Sequence, residues 1–114
     1  MRIVKIGDKE IGVRATPLAL LYYKQEFGSD LIGDLIKFQD LMTDPSKLDS
    51  VTFLQMAWAM AKANEGVGKK FPDFYNWVAE LDSFDITDDD VLFAIIEEAE
   101  KGFFRSAGQK GGKQ

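Results

Sequence analysis

The sequence predicts an α+β fold that is mostly α: an N-terminal β-hairpin, about five packed helices and a disordered C-terminal tail. Three observations predict it. Two short β-prone runs, Arg2–Ile6 and the alternation through Ile11 and Val13, lie on either side of a Gly7-Asp8 turn. From Thr16 onward apolar residues recur at helical spacing in successive segments. After Phe104 the chain reads Arg-Ser-Ala-Gly-Gln-Lys-Gly-Gly-Lys-Gln, with almost nothing to bury. The expected organisation is a single globular domain over 1–104 and a flexible tail over 105–114.

The hairpin is the first element. A Gly-Asp turn suits a tight β connection. An isolated hairpin is marginal in water, so its apolar face should pack on helices. Thr16-Pro17 opens the first helix, with Thr16 as cap and proline at a position where its missing donor has no partner. Leu18, Leu21 and Tyr22 form its stripe, Leu20, Tyr23 and Phe27 stand beside it, and Gly28 stops it. Ser29 or Asp30 caps a second helix with the stripe Leu31, Leu35, Phe38 and Met42. Gly33 inside it costs roughly 1 kcal/mol against alanine and is read as room for close helix packing.

Val51 to Asn64, VTFLQMAWAMAKAN, is the expected centre. It has almost no polar face, and a helix of that kind is buried on most sides. It is also too short to cross a bilayer, which takes about 20 apolar residues. Asp49 or Ser50 is its cap. Phe71-Pro72-Asp73 opens a fourth helix, with Phe74, Tyr75, Val78 and Leu81 as a stripe and Trp77 and Phe84 as bulk. Thr87 is read as the cap of a last helix, with Asp88, Asp89 and Asp90 in its first turn, where carboxylates favour the dipole. Leu92, Ile95, Ile96, Ala99 and Phe103 share one side of that helix, and Glu97, Glu98 and Glu100 face elsewhere.

Composition bounds the chemistry. Among 114 residues there is no cysteine and no histidine, so disulfides, thiolate chemistry and the commonest general base are absent. The first ten residues hold no apolar signal-peptide core. Net charge is −5. From Pro72 to Glu100 the acids Asp73, Glu80, Asp82, Asp85, Asp88, Asp89, Asp90, Glu97, Glu98 and Glu100 meet no lysine or arginine. An acidic surface repels phosphate backbones, which argues against nucleic acid as a partner. The run reads either as a solvated surface or as a docking face for a basic partner. In the docking reading the contact residues are Tyr75, Trp77, Asp82, Asp85 and Asp89, with the aromatics exposed and the acids speeding encounter.

Catalytic and metal motifs are partial at best. Gly66-Val67-Gly68-Lys69-Lys70 lacks the full phosphate-loop pattern and follows a helix instead of a strand. Asp88-Asp89-Asp90 lacks the spacing of a calcium loop. Carboxylate pairs among Glu80, Asp82, Asp85 and Asp88 are the remaining acid–base candidates, and nothing selects one pair. No enzyme activity, metal or cofactor is expected.

One further reading comes from a resemblance. Ala15 to Leu35, with Thr16-Pro17, Glu26-Phe27-Gly28 and Asp30-Leu31, resembles the front of the phage tail assembly chaperones of tailed phages and prophages of Gram-positive bacteria. The Ala57–Lys62 run and Phe71–Ile86 resemble later parts of that family, and the likeness covers most of residues 2–100. The resemblance implies a small protein of the bacterial host's cytoplasm. It would bind the tape measure protein and the tail tube protein during tail morphogenesis and be absent from the mature virion. The resemblance also implies no catalysis, no cofactor, no nucleic acid and no membrane, and leaves a homo-oligomer open. The competing expectation is a small acidic regulatory or inhibitory protein-binding module unrelated to tail assembly.

Overall fold

The computed structural model describes residues 1–104; the expected tail, 105–114, lies outside them. Two antiparallel strands, β1 (Arg2–Ile6) and β2 (Lys9–Val13), make the hairpin. Among the described residues five α-helices follow: α1 (Pro17–Phe27), α2 (Leu31–Asp40), α3 (Ser50–Glu65), α4 (Phe74–Ala79) and α5 (Asp89–Phe103). A short 3-10 turn, Pro45–Lys47, leads into α3. No helix of the described residues is long and apolar enough to cross a membrane.

The hairpin turns as its sequence requires. Gly7 has a φ of 60°, and among the described residues none other than glycine has a positive φ. Positive φ at the first loop position only is the signature of a type II′ turn, whose twist matches that of the flanking strands. Val4, Ile6 and Val13 are buried on one face.

The central helix is α3, as expected from its composition. Its 16 residues span about 24 Å at 1.5 Å per residue. Phe53 and the unbroken run Met56–Ala61 are buried, and β2, α1, α2 and α4 all pack on it. Two aromatic chains wrap it. At one end Phe53 lies between Phe38, at a centroid distance of 5.6 Å, and Phe84, stacked at 5.5 Å. Toward the other, Phe27 meets Trp58 edge-on at 5.6 Å and Phe74 at 5.1 Å. The Trp58 indole N–H donates to the Pro72 carbonyl at 3.0 Å, so the one polar atom of this buried side chain is satisfied. Lys62 lays its ammonium over the Tyr22 and Trp58 rings, 4.4 and 5.1 Å from their centroids. It thereby covers apolar surface instead of interrupting it.

Caps account for most helix starts. Asp30, Asp49 and Asp73 each accept backbone N–H groups at the N-termini of α2, α3 and α4. Gly28 ends α1 with a φ of 70°, and its N–H donates to the Lys24 carbonyl. Three details depart from expectation. Thr16 occupies the cap position of α1 but makes no side-chain bond. Asp88, not Thr87, caps α5 by accepting the Asp90 N–H. Thr87 instead donates its N–H and hydroxyl to Asp85, because that carboxylate closes a local turn one step earlier. Finally, α4 ends at Ala79; Leu81 and Phe84 are half-buried from the irregular segment after it.

Glu98 also differs from its reading. It is 8% exposed and its Oε2 accepts the Ala15 N–H at 3.1 Å. The amide between β2 and α1 has no ladder partner, and a buried donor of this kind needs an acceptor. That contact and a close approach at Gly102 fasten α5 to the start of α1. A Cβ on Gly102 would collide with the Ala15 carbonyl. Gly33 is the opposite case. A Cβ there would meet only the Asp30 side chain, at 3.4 Å, so this glycine does not serve close helix packing.

Tyr23 is fully buried and donates its hydroxyl to Asp34 at 2.8 Å, where the Ser29 hydroxyl also arrives at 2.8 Å. Burial, and after it the Asp34 hydrogen bond and charge, push the Tyr23 phenol well above its ordinary value.

Two stability outcomes follow. Trp58→Ala should cost about 3–5 kcal/mol, the range for removing a large core aromatic, and a denaturant melt showing a change below about 1 kcal/mol would remove Trp58 from the core. The glycines should respond with opposite sign. Gly33→Ala should stabilise by about 0.4–1 kcal/mol through lost unfolded-state freedom, and Gly102→Ala should destabilise by about 1–3 kcal/mol through overpacking. Thermal unfolding of the two variants side by side checks this.

Candidate protein-binding groove

The hairpin is placed between two helices: β2 packs on α3, and β1 packs on α5. Beside β1 runs an open groove of about 700 Å³, lined by the consecutive residues Arg2 to Gly7. Its far wall is a helical stripe of α5, Asp90, Phe93, Ala94 and Glu97, whose spacing places them on one side. Ser83, Phe84 and Asp85 line the end near the hairpin turn. At the other end Arg2 pairs with Glu97 at 2.6 Å. Ile3 and Phe93 are both about half exposed, at 53% and 52%, so the groove combines apolar surface with the acids Asp85, Asp88, Asp90 and Glu97.

The sequence-derived contact residues do not form one cluster. Asp85 lines the groove, and Asp89 stands exposed on the first turn of α5. Asp82 approaches the groove's end, where its Oδ1 accepts the Asp8 N–H at 3.3 Å. Tyr75 lies elsewhere, on α4, and is 81% exposed. Trp77 is 6% exposed and lines a recess of about 240 Å³ between β2, α3 and α4. Its position corrects the reading of Trp77 as an exposed aromatic: α4 has six residues, and its attachment to the core runs through Phe74 and Trp77.

The acidic run is largely consumed by the fold. Asp73 and Asp88 cap helices, Asp85 holds Thr87, and Asp82 holds the hairpin turn. Glu80 lies 3.9 Å from Lys9, Glu97 pairs with Arg2, Glu98 holds Ala15, and Glu100 accepts from Gln39 at 3.0 Å. Among the described residues only the Asp89 and Asp90 carboxylates of that run take no such partner, and both stand in the first turn of α5. Asp73, Asp85 and Asp88 use partners two or three residues away; sequence spacing could not reveal the others, whose partners lie far off in the chain.

One carboxylate pair does come together, and it is not among those considered from sequence. Asp8 meets Asp82 across the hairpin turn. A carboxyl–carboxylate hydrogen bond to Asp82, then its charge, raise the Asp8 carboxyl above the ordinary value. The same bond, and next the Asp8 amide, lower Asp82. Both groups are fully exposed, so the pair lacks the enclosure that acid–base catalysis draws on. Among the described residues no cluster of three acidic side chains is arranged to hold a metal ion.

Compared with protein-family models, with curated proteins and with solved structures, the chain matches none.

Asp85 supplies a pH outcome. Its carboxyl is lowered from 3.8, first by the Thr87 hydroxyl and then by the Thr87 amide. A depressed carboxylate contributes stability that is present above the unfolded value and lost as pH falls through the folded one. Wild type should therefore exceed Asp85→Asn in stability at pH 7, and the gap should close as pH drops through and below about 3.8. Parallel urea melts across that range check it; a gap independent of pH would mean the charge of Asp85 is not what holds Thr87.

Proposed function

We propose that this chain is a phage tail assembly chaperone that binds the tape measure and tail tube proteins during tail morphogenesis and leaves before the virion is complete. The succession Thr16-Pro17, Glu26-Phe27-Gly28, Asp30-Leu31, Ala57–Lys62 and Phe71–Ile86 supports the family. The structural observation that supports protein binding is the groove beside β1. It is open along its length, walled by acids, and offers Ile3 and Phe93 to solvent. Such a surface suits a segment of polypeptide better than a small ligand, which favours an enclosed and mostly apolar pocket. On this reading the protein works in the host cytoplasm, takes no cofactor and performs no catalysis.

The alternative, an acidic regulatory or inhibitory module, draws on the acidic run. Most of those carboxylates are already engaged within the chain, which leaves Asp89 and Asp90 as the acids of that run without a partner among the described residues. A polyanion mimic needs a broader free array than these two.

Co-expression with the tape measure and tube proteins of the same phage or prophage, followed by affinity capture, tests the proposal. The expected result is a soluble complex with at least one of them and less client aggregation than without the chain. Capture of neither client, with aggregation unchanged, would overturn it.

A further inference from the structure

We infer that β1 is an acceptor edge: an extended, basic and apolar segment of a client protein pairs with it as a third strand, lying in the groove between β1 and α5. The inference rests on the chaperone reading for the client's identity, but its geometry stands on the hairpin. In a two-residue hairpin the residues flanking the loop form a hydrogen-bonded pair, here Ile6 and Lys9. Alternation makes Val4–Ile11 and Arg2–Val13 the next such pairs. Ile3 and Lys5 therefore turn their N–H and C=O groups away from β2. The opposite edge behaves as the same alternation demands. The Arg14 N–H, in the outward set of β2, donates to the Met60 carbonyl of α3 at 3.0 Å. That edge is covered by a helix. On β1, no bond from outside the hairpin reaches the backbone of Ile3 or Lys5 among the described residues.

The groove lies along this edge and not over one face. Residues of both side-chain parities, Ile3 and Lys5 as well as Val4 and Ile6, line it, whereas a cleft on one face would touch alternate residues only. Five residues of strand give a template about 17 Å long. Charge selects the occupant. Asp85, Asp88, Asp90 and Glu97 face the space, against Lys5 and an Arg2 already paired with Glu97. A segment alternating lysine or arginine with β-branched residues would place its bases near those acids. Its apolar side chains would lie against Ile3 and Phe93. A second copy of this chain would bring the same acids against themselves, which disfavours it.

The probe is an acetylated and amidated peptide alternating lysine with valine, long enough to span β1. It is added to the full chain and followed by calorimetry and residue-resolved amide hydrogen exchange. The expected result is saturable binding that slows exchange at Ile3 and Lys5. The same peptide N-methylated along one edge should bind about tenfold more weakly or not at all, a control that leaves the protein's fold untouched. Ile3→Pro, which removes one outward N–H where the ladder needs none, should weaken binding to a similar extent. Asp90→Asn should weaken binding and reduce its salt dependence. Full binding by the N-methylated peptide, or binding without protection of Ile3 and Lys5, would overturn the inference. So would protection already present in the free chain, through pairing with a second copy or with residues 105–114. The two proposals fail separately. Equal capture of tape measure protein by wild type and Ile3→Pro removes the acceptor edge and keeps the chaperone. Peptide binding with no capture of either client does the reverse.

Discussion

A helix with almost no polar face has to be covered on nearly all sides, and the burial of α3 is the constraint from which the rest of this structure follows. Each fully buried large apolar side chain on it contributes about 1.5–3 kcal/mol relative to exposure, and no single neighbour can shield them all. The covering is shared among β2, α1, α2 and α4. The shared covering explains why short elements survive here. α4, with six residues, is too short to be stable as an isolated helix. It persists because Phe74 and Trp77 join the core and because the Trp58 indole binds the Pro72 carbonyl just before it.

α5 is attached differently. It joins the same core through Leu92, Ile95 and Ala99, packs on β1, and is tied further by the Glu98 carboxylate on the Ala15 amide, the close approach at Gly102 and the Gln39–Glu100 hydrogen bond. The hairpin thus acts as a bridge, held by α3 on one edge and carrying α5 against β1. A two-stranded sheet has two edges, and among the described residues only the β2 edge is hydrogen-bonded to a helix backbone, through Arg14 and Met60. Unpaired edges invite association, and proteins often blunt them with a lysine. Lys5 lies within β1, next to its last residue, so the edge carries a device against indiscriminate pairing while the acids across the groove favour a basic strand.

Much of the fold was legible because it depends on local rules. The Gly7-Asp8 turn, Pro17 at the first helical position, Gly28 past the end of α1 and the apolar run of α3 each state their role within a few residues. Where reading the sequence went astray, the deciding partner was distant or competed closely. Thr87 and Asp88 are adjacent capping residues, and the choice fell to Asp88 because Asp85 had already engaged Thr87. Glu98 reads as one more surface acid until the Ala15 amide, 83 positions away in sequence, is placed beside it. Trp77 carries no local mark that separates a hot spot from a core anchor. The groove itself was invisible in the sequence, since its two walls are separated by most of the chain.

The acidic run changes meaning once those partners are known. Ten carboxylates without a base suggest repulsion awaiting a basic ligand, yet caps, turns and cross-chain contacts absorb most of them. Hydrogen bonds to backbone amides stabilise the charged form, so these acids are tolerated at close range without an external counter-charge. What is left for recognition is narrower: Asp89 and Asp90 on the first turn of α5, with Asp85, Asp88 and Glu97 adding field from positions they already hold for structural reasons. The acids that build α5 thereby also set the potential of the groove. Ile3 and Phe93 line the same space without belonging to the buried core. Recognition chemistry can therefore vary at those two positions and at Asp90 with little effect on stability, while Asp85, Asp88 and Glu97 are bound to both tasks.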